Sequence, residues 1–175
     1  MMRPRTFATI LGLGTALAVA GACEIPKILS KPGEPVTAGA HGAMLVVFLK
    51  HECPSNDRAI PALKALQTAL GKRVKVVAVV DAPADKVAAM RLPVASYADP
   101  KAEYIRQVGA RAALDVFAVP KGMRAVPVKV AYGYSRETVG GALRNAGLTS
   151  AEVATVLKKA GTSAKPIFGC ALGTH

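Results

Sequence analysis

The stretch Val46 to Asp57, VVFLKHECPSND, decides how this chain is read. An apolar run that begins at Ala43 (AMLVVFL) ends in Lys50-His51-Glu52 and meets Cys53-Pro54. Beyond it, Ile60, Leu63, Leu66 and Leu70 recur at spacings of three and four, and Gly71 follows. A continuous run rich in branched residues reads as a strand buried on both faces, and the three-four spacing reads as one face of a helix closed by glycine. A thiol therefore lies where a buried strand passes into a helix.

Working outward, Val74 to Val80 (VKVVAVV) predicts a second buried strand ending at Asp81, APADKVAAMR a helix, and PVASYADP a short extended connection. KAEYIRQVGA predicts a helix up to Gly109. ALDVFAV, PKGM and RAVPVKVAY read as strand, turn and strand, a hairpin that closes a sheet. SRETVGGALRNAG and AEVATVLKKAG predict two further helices, the first capped by Ser135 and the second by Thr149 or Ser150. The order strand, helix, strand, helix, helix, hairpin, helix argues for an α/β fold with a central mixed β-sheet flanked by helices. Asp81 and Asp99 follow apolar runs and read as caps of turns or helices.

At 175 residues the chain is long enough for one domain with short appendages. Residues 1–22 read as an export signal: Arg3 and Arg5, an uncharged stretch too short to span a bilayer, then the small residues Ala20-Gly21-Ala22. Small residues directly before Cys23 are also the mark of a lipoprotein box, in which Cys23 carries the lipid and tethers the domain without a spanning helix. Residues 23–42 are rich in proline and glycine and read as a linker. The domain covers 43–161, and 162–175 (TSAKPIFGCALGTH) is an irregular tail carrying Cys170. Three cysteines are an odd number for an exported protein, and a lipidated Cys23 leaves two.

Removing Arg3 and Arg5, the only charges before Cys23, takes the net charge from +12 to +10. The lysines and arginines are scattered and not interleaved with aromatics, so a solvated basic face that sits against anionic headgroups is expected and nucleic-acid binding is not.

On this reading Cys53 occupies the amino cap of the helix, with Pro54 at the first helical position, where a missing N–H costs nothing. Unpaired amides and the positive end of the helix dipole favour the thiolate, the form that attacks disulfides and peroxides. Lys50 and His51 add positive character and Glu52 opposes it; the expectation is a lowered thiol pKa. The alternative is a buried, inert thiol.

VVFLKHECPSNDRAIPAL resembles the V-x-F-x-x-x-x-C-P-x-x-x-x-x-x-P-x-L signature of the thioredoxin-like superfamily, including Pro61 inside the helix, where it removes the backbone bond to the Asp57 carbonyl. PVASYADPKAEYIRQVGA, DVFAVPKGMRAVPVKVAYGYS and KPIFGCAL are similar to segments of its redoxin branch, the alkyl hydroperoxide reductase and thiol-specific antioxidant-like proteins. The resemblance runs from about Ala43 to Leu172. It departs from the family at several points. Asn56 stands where a C-x-x-C motif has its second cysteine, Val46 and Lys50 stand where a peroxiredoxin has proline and Thr or Ser, and Leu114 holds the usual cis-proline position.

The resemblance implies a thioredoxin-like fold and an exported thiol-disulfide oxidoreductase. Cys53 would be the nucleophile and Cys170 the resolving thiol, with Lys50, His51, Pro54 and Pro61 in support and a partner thiol protein as reductant or substrate. A permanent structural Cys53–Cys170 disulfide stays open as an alternative. So do a peroxiredoxin-like thiol peroxidase and a degenerate redoxin domain that serves binding at the envelope. No cofactor is implied, and no metal: the C-x-x-x-C pair of thioredoxin-fold copper chaperones is missing, and His41 and His175 read as solvated.

Overall fold

The first strand, β1 (Ala43–Lys50), is buried along nearly its whole length and sits in the middle of the sheet. Its alternation divides the protein in two. Ala43, Leu45, Val47 and Leu49 point into one cluster, and Met44, Val46 and Phe48 into another on the opposite face. This is why the run carries no polar alternation: a central strand with both faces covered has no solvent side. The computed structural model of the protein describes residues 42–120, 128–129 and 133–173. The export signal, Cys23, the linker up to His41, residues 121–127 of the expected hairpin, and His175 lie outside the described residues.

Chain order is β1, α1 (Asn56–Leu70), β2 (Val74–Asp81), α2 (Ala84–Ala89), β3 (Ala95–Ala98), α3 (Glu103–Val108), β4 (Val116–Val119), β5 (Val128–Lys129), α4 (Arg136–Asn145) and α5 (Ser150–Lys159). The sheet runs β3-β2-β1-β4-β5. β1, β2 and β3 are mutually parallel, joined through α1 and α2; β4 runs antiparallel to β1 and β5 antiparallel to β4, so the sheet is mixed.

The first face is thick. Ala59, Leu63, Leu66 and Leu70 of α1 pack there with Val139, Ala142 and Leu143 of α4, Val153, Val156 and Leu157 of α5, and Val87 of α2. α4 and α5 start on capping boxes, Ser135 with Thr138 and Thr149 with Glu152, which satisfy two otherwise orphaned N–H groups at each start. The second face is thinner, and its cover is α3 (Tyr104, Ile105), the aromatic trio Phe48, Tyr104 and Phe117, and Leu172 from the tail. α3 is only six residues long; the buried Asp99 carboxylate accepts from the Glu103 and Ile105 amides and does its capping, as expected of a strand-end aspartate.

Candidate redox site

Cys53 follows β1 after a tight turn. Its N–H donates to the Lys50 carbonyl at 3.3 Å, and Glu52, at φ 62°, is in the left-handed region that a residue with a side chain enters at some cost. The helix begins later than the sequence pattern suggests. Ser55 is the N-cap of α1 and Asn56 its first residue, so Cys53 is two residues ahead of the cap and Pro54 precedes the helix instead of opening it. The reason is local: Pro54 and Ser55 form a separate turn, in which the Asn56 N–H donates to the Cys53 carbonyl at 2.9 Å. The Asn56 side chain locks it, donating from Nδ2 to the Lys50 carbonyl at 2.9 Å.

The sulfur of Cys53 faces the second, thinner cluster. The residue is only 4% exposed, and Sγ is disulfide-bonded to Cys170, 117 residues away, with 5.9 Å between the Cα atoms. Two donors approach the Cys53 sulfur: the Ser55 hydroxyl at 3.1 Å, which can serve as donor or acceptor, and the Cys170 N–H at 3.1 Å. Cys170 is the more accessible partner, half-buried against the same cluster.

The tail is fastened along its length. The Tyr134 and Ile167 backbones exchange hydrogen bonds of 3.0 and 2.9 Å, and further on Ala112 and Ala171 form an antiparallel bridge. The Ala113 N–H donates to the Cys170 carbonyl at 2.8 Å and the Leu172 N–H to the Arg111 carbonyl at 3.0 Å. The Arg111–Ala113 edge is itself shaped by Asp115, whose carboxylate accepts from the Arg111 and Ala112 amides. Lys50 and Asp81, Cα partners at the ends of β1 and β2, both reach the tail: Lys50 Nζ donates to the Ala171 carbonyl at 3.1 Å, and Asp81 Oδ2 accepts from the Gly173 N–H at 2.9 Å.

The remaining expected residues fall as follows. His51 Nδ1 lies 3.5 Å from Glu52 Oε1; Glu52 is exposed and His51 half-buried. Pro61 is inside α1 on its exposed side. Leu114 is buried in the first cluster, across the sheet from Cys53; its φ is 72°, and its N–H donates to the Phe48 carbonyl at 2.6 Å. All peptide bonds among the described residues are trans. Among those residues no group of His, Cys, Asp and Glu is arranged to hold a metal ion. Sequence reasoning missed Ser55, Ala113 and Asp115, and read Asp81 only as a turn cap. The C-P-S-N spacing places a hydroxyl two residues past the thiol and is the one signal that points to Ser55.

No family model matches the sequence, and no curated protein matches it at a significant level. Solved structures do match. A secreted Mycobacterium tuberculosis disulfide oxidoreductase homologous to E. coli DsbE aligns over 76% of this chain and 96% of its own, at 12% identity and TM-score 0.53. An uncharacterized conserved protein of Geobacillus kaustophilus aligns over 83% and 86%, at 15% identity and TM-score 0.53. A Chlorobium tepidum structure described as a thiol:disulfide interchange protein DsbE aligns at 21% identity and TM-score 0.42, and this chain spans 62% of its length. A mixed sheet between helices, a cysteine at the β1–α1 junction and the first two of these neighbours agree on one point: the chain has the thioredoxin-like fold.

Proposed function

We propose that the protein is a thiol-disulfide oxidoreductase in which Cys53 is the nucleophile and Cys170 the resolving thiol. The observation that carries the reading is the disulfide between a cysteine at the strand–helix junction and one on a hydrogen-bonded tail strand. In the oxidised protein an incoming thiolate finds Cys170 the more accessible sulfur. Attack there forms a mixed disulfide at Cys170 and expels Cys53 as a thiolate, which the Ser55 hydroxyl stabilises. The second thiol of the reductant then frees Cys170. In the reverse half, the Cys53 thiolate attacks a substrate disulfide, one substrate sulfur leaves as thiolate, and Cys170 displaces the other. Two electrons pass from the protein dithiol to the substrate.

Trapping tests the cycle. The Cys170→Ser variant should accumulate a mixed disulfide at Cys53 with a disulfide-bonded peptide, the wild type should turn the peptide over, and Cys53→Ser should do neither. A Cys53–Cys170 bond that resists a dithiol reductant unless the protein is denatured would make the pair structural and defeat the proposal.

We also infer export and a lipid anchor at Cys23. The support is the basic, apolar and small-residue order of residues 1–22 ahead of that cysteine. Among the described residues no helix is long and apolar enough to cross a membrane. A Cys23→Ser variant should leave the membrane fraction; unchanged partitioning refutes the anchor.

A further inference from the structure

The tail shows what the ground beside Cys53 accepts. Besides the disulfide, hydrogen bonds from the tail's own main chain seat residues 170–173: the Cys170 and Ala171 carbonyls accept from Ala113 N–H and Lys50 Nζ, and the Leu172 and Gly173 amides donate to Arg111 C=O and Asp81. Any extended chain in the same register can make these bonds, so they give affinity without sequence choice. Selection comes from two other places. At Gly169 an added Cβ would overlap the Ala113 carbonyl and Cβ, and that obstacle is backbone, which cannot swing aside. At Leu172 the side chain is buried in the cluster that holds Cys53, Tyr97 and Tyr104. Ala171, between them, is exposed.

We propose that, for a thiol partner docked on the Arg111–Ala113 edge, Ala113 and the cavity around Leu172 select an extended segment reading glycine, cysteine, any residue, then leucine or a similar aliphatic. This rests on the thiol-disulfide reading above. The Cys53 thiolate attacks the sulfur of such a segment, the partner's other sulfur leaves as a thiolate, and the segment takes the edge that the reduced tail has vacated. Cys170 then attacks the Cys53 sulfur, the partner's cysteine leaves as a thiolate, and the tail recovers the edge. Ala113 and the walls around Leu172 are specificity-determining, and Asp115 positions the edge by holding two of its amides.

The test uses the full chain with Cys170→Ser, so that only Cys53 can form the mixed disulfide. The probes are the peptide Pro-Ile-Phe-Gly-Cys-Ala-Leu-Gly and its Gly-to-Ala and Leu-to-Ser counterparts, each activated as a thionitrobenzoate disulfide, with adducts followed by mass. If the tail of the Cys170→Ser chain lingers on the edge, it slows all three alike and leaves their ratio untouched. The parent should react about tenfold or more faster than either counterpart, the factor expected when one aliphatic side chain loses its burial. Equal rates for the three, with the small aromatic disulfide reacting normally, overturn the docking proposal and spare the thiol-disulfide reading; a Cys53 inert even to the small disulfide takes down both. A second measurement needs no peptide. Gly169→Ala in the otherwise native chain should shift the Cys53–Cys170 equilibrium against glutathione about tenfold or more toward the dithiol, while the exposed Lys165→Ala leaves it unchanged. An unmoved equilibrium in Gly169→Ala overturns the proposal.

Discussion

Replacing Ser55 by alanine should make Cys53 a markedly weaker acid, and the structure lets that change be isolated. The Ser55 hydroxyl lies 3.1 Å from the Cys53 sulfur. Ser55 is the N-cap of α1, yet its side chain makes no capping bond, and the bond it does give the helix, from Ala59 N–H to its carbonyl, belongs to the backbone. Alanine therefore removes the sulfur's side-chain donor without removing a cap. Once the disulfide opens, a hydroxyl at this place can donate to the Cys53 thiolate and favour it over the thiol. A hydrogen bond to a charged group is worth about 1.5–3 kcal/mol, and 1.36 kcal/mol corresponds to one pH unit. Ser55 is half-buried, so the lower end applies: the midpoint should rise by about one pH unit, and the thiolate present at neutral pH should fall about tenfold. The assay is iodoacetamide alkylation across a pH series in Cys170→Ser and in Ser55→Ala/Cys170→Ser, with modification at Cys53 scored by peptide mass. Ser55→Thr, which keeps a hydroxyl, should keep the original midpoint. Coincident profiles for serine and alanine at position 55 would refute the assignment.

Closing a loop of 117 residues removes about 4–5 kcal/mol of unfolded-state entropy, so reduction, or Cys53→Ser, should lower the urea midpoint clearly; superposed unfolding curves would mean that the two sulfurs are not joined in solution. Installing the family's proline by Leu114→Pro should destabilise by about 3 kcal/mol or more, because the ring fixes φ near −65° where this residue holds 72° and deletes the N–H that Phe48 accepts; a variant as stable as wild type in urea contradicts this. Glu152 has its pKa lowered, first by the Thr149 amide, so its contribution is present above the ordinary glutamate range and is lost as pH falls through the lowered value. Melting temperature should therefore decline on acidification less steeply in Glu152→Gln than in wild type, and parallel curves count against the cap.

Much of the scaffold was legible because its signals are local. The unbroken run at Ala43–Leu49 read as a buried strand and is one; of the face read in α1, Leu63, Leu66 and Leu70 are buried, while Ile60 is half-buried and Ala59 is buried instead. Ser135 was readable as a cap, and of the Thr149 and Ser150 pair the structure selects Thr149; the reciprocal partners Thr138 and Glu152 complete a capping box at each start. The resemblance placed Cys53 and suggested Cys170. What could not be read is what depends on contacts remote in sequence. Nothing in TSAKPIFGCALGTH shows that Ile167 pairs with Tyr134, that Gly169 lies against Ala113, or that Asp81 reaches Gly173. The start of α1 was misplaced for a different reason. Pro54 is acceptable both at a first helical position and in the turn before one, and the Asn56 side chain tips the balance by closing the loop onto Lys50.

Asn56 stands where a C-x-x-C site has its second thiol, and there its Nδ2 donates to the Lys50 carbonyl and closes the turn carrying Cys53, so the second sulfur comes from the tail. The sequence separation of 117 overstates the distance a resolving thiol must travel. Ile167 is tied by two backbone bonds to Tyr134, so if that bridge persists when the disulfide opens, Cys170 swings on a tether of three residues and presents itself to Cys53 at high effective concentration. A mixed disulfide on Cys53 is then resolved before it accumulates, which is why Cys170 must be removed to trap one. Breaking the tether by Ile167→Pro, which deletes the N–H given to Tyr134, should slow resolution and let the mixed disulfide build up in a chain that keeps both cysteines. Resolution at the wild-type rate would mean that the anchor lies elsewhere along the tail.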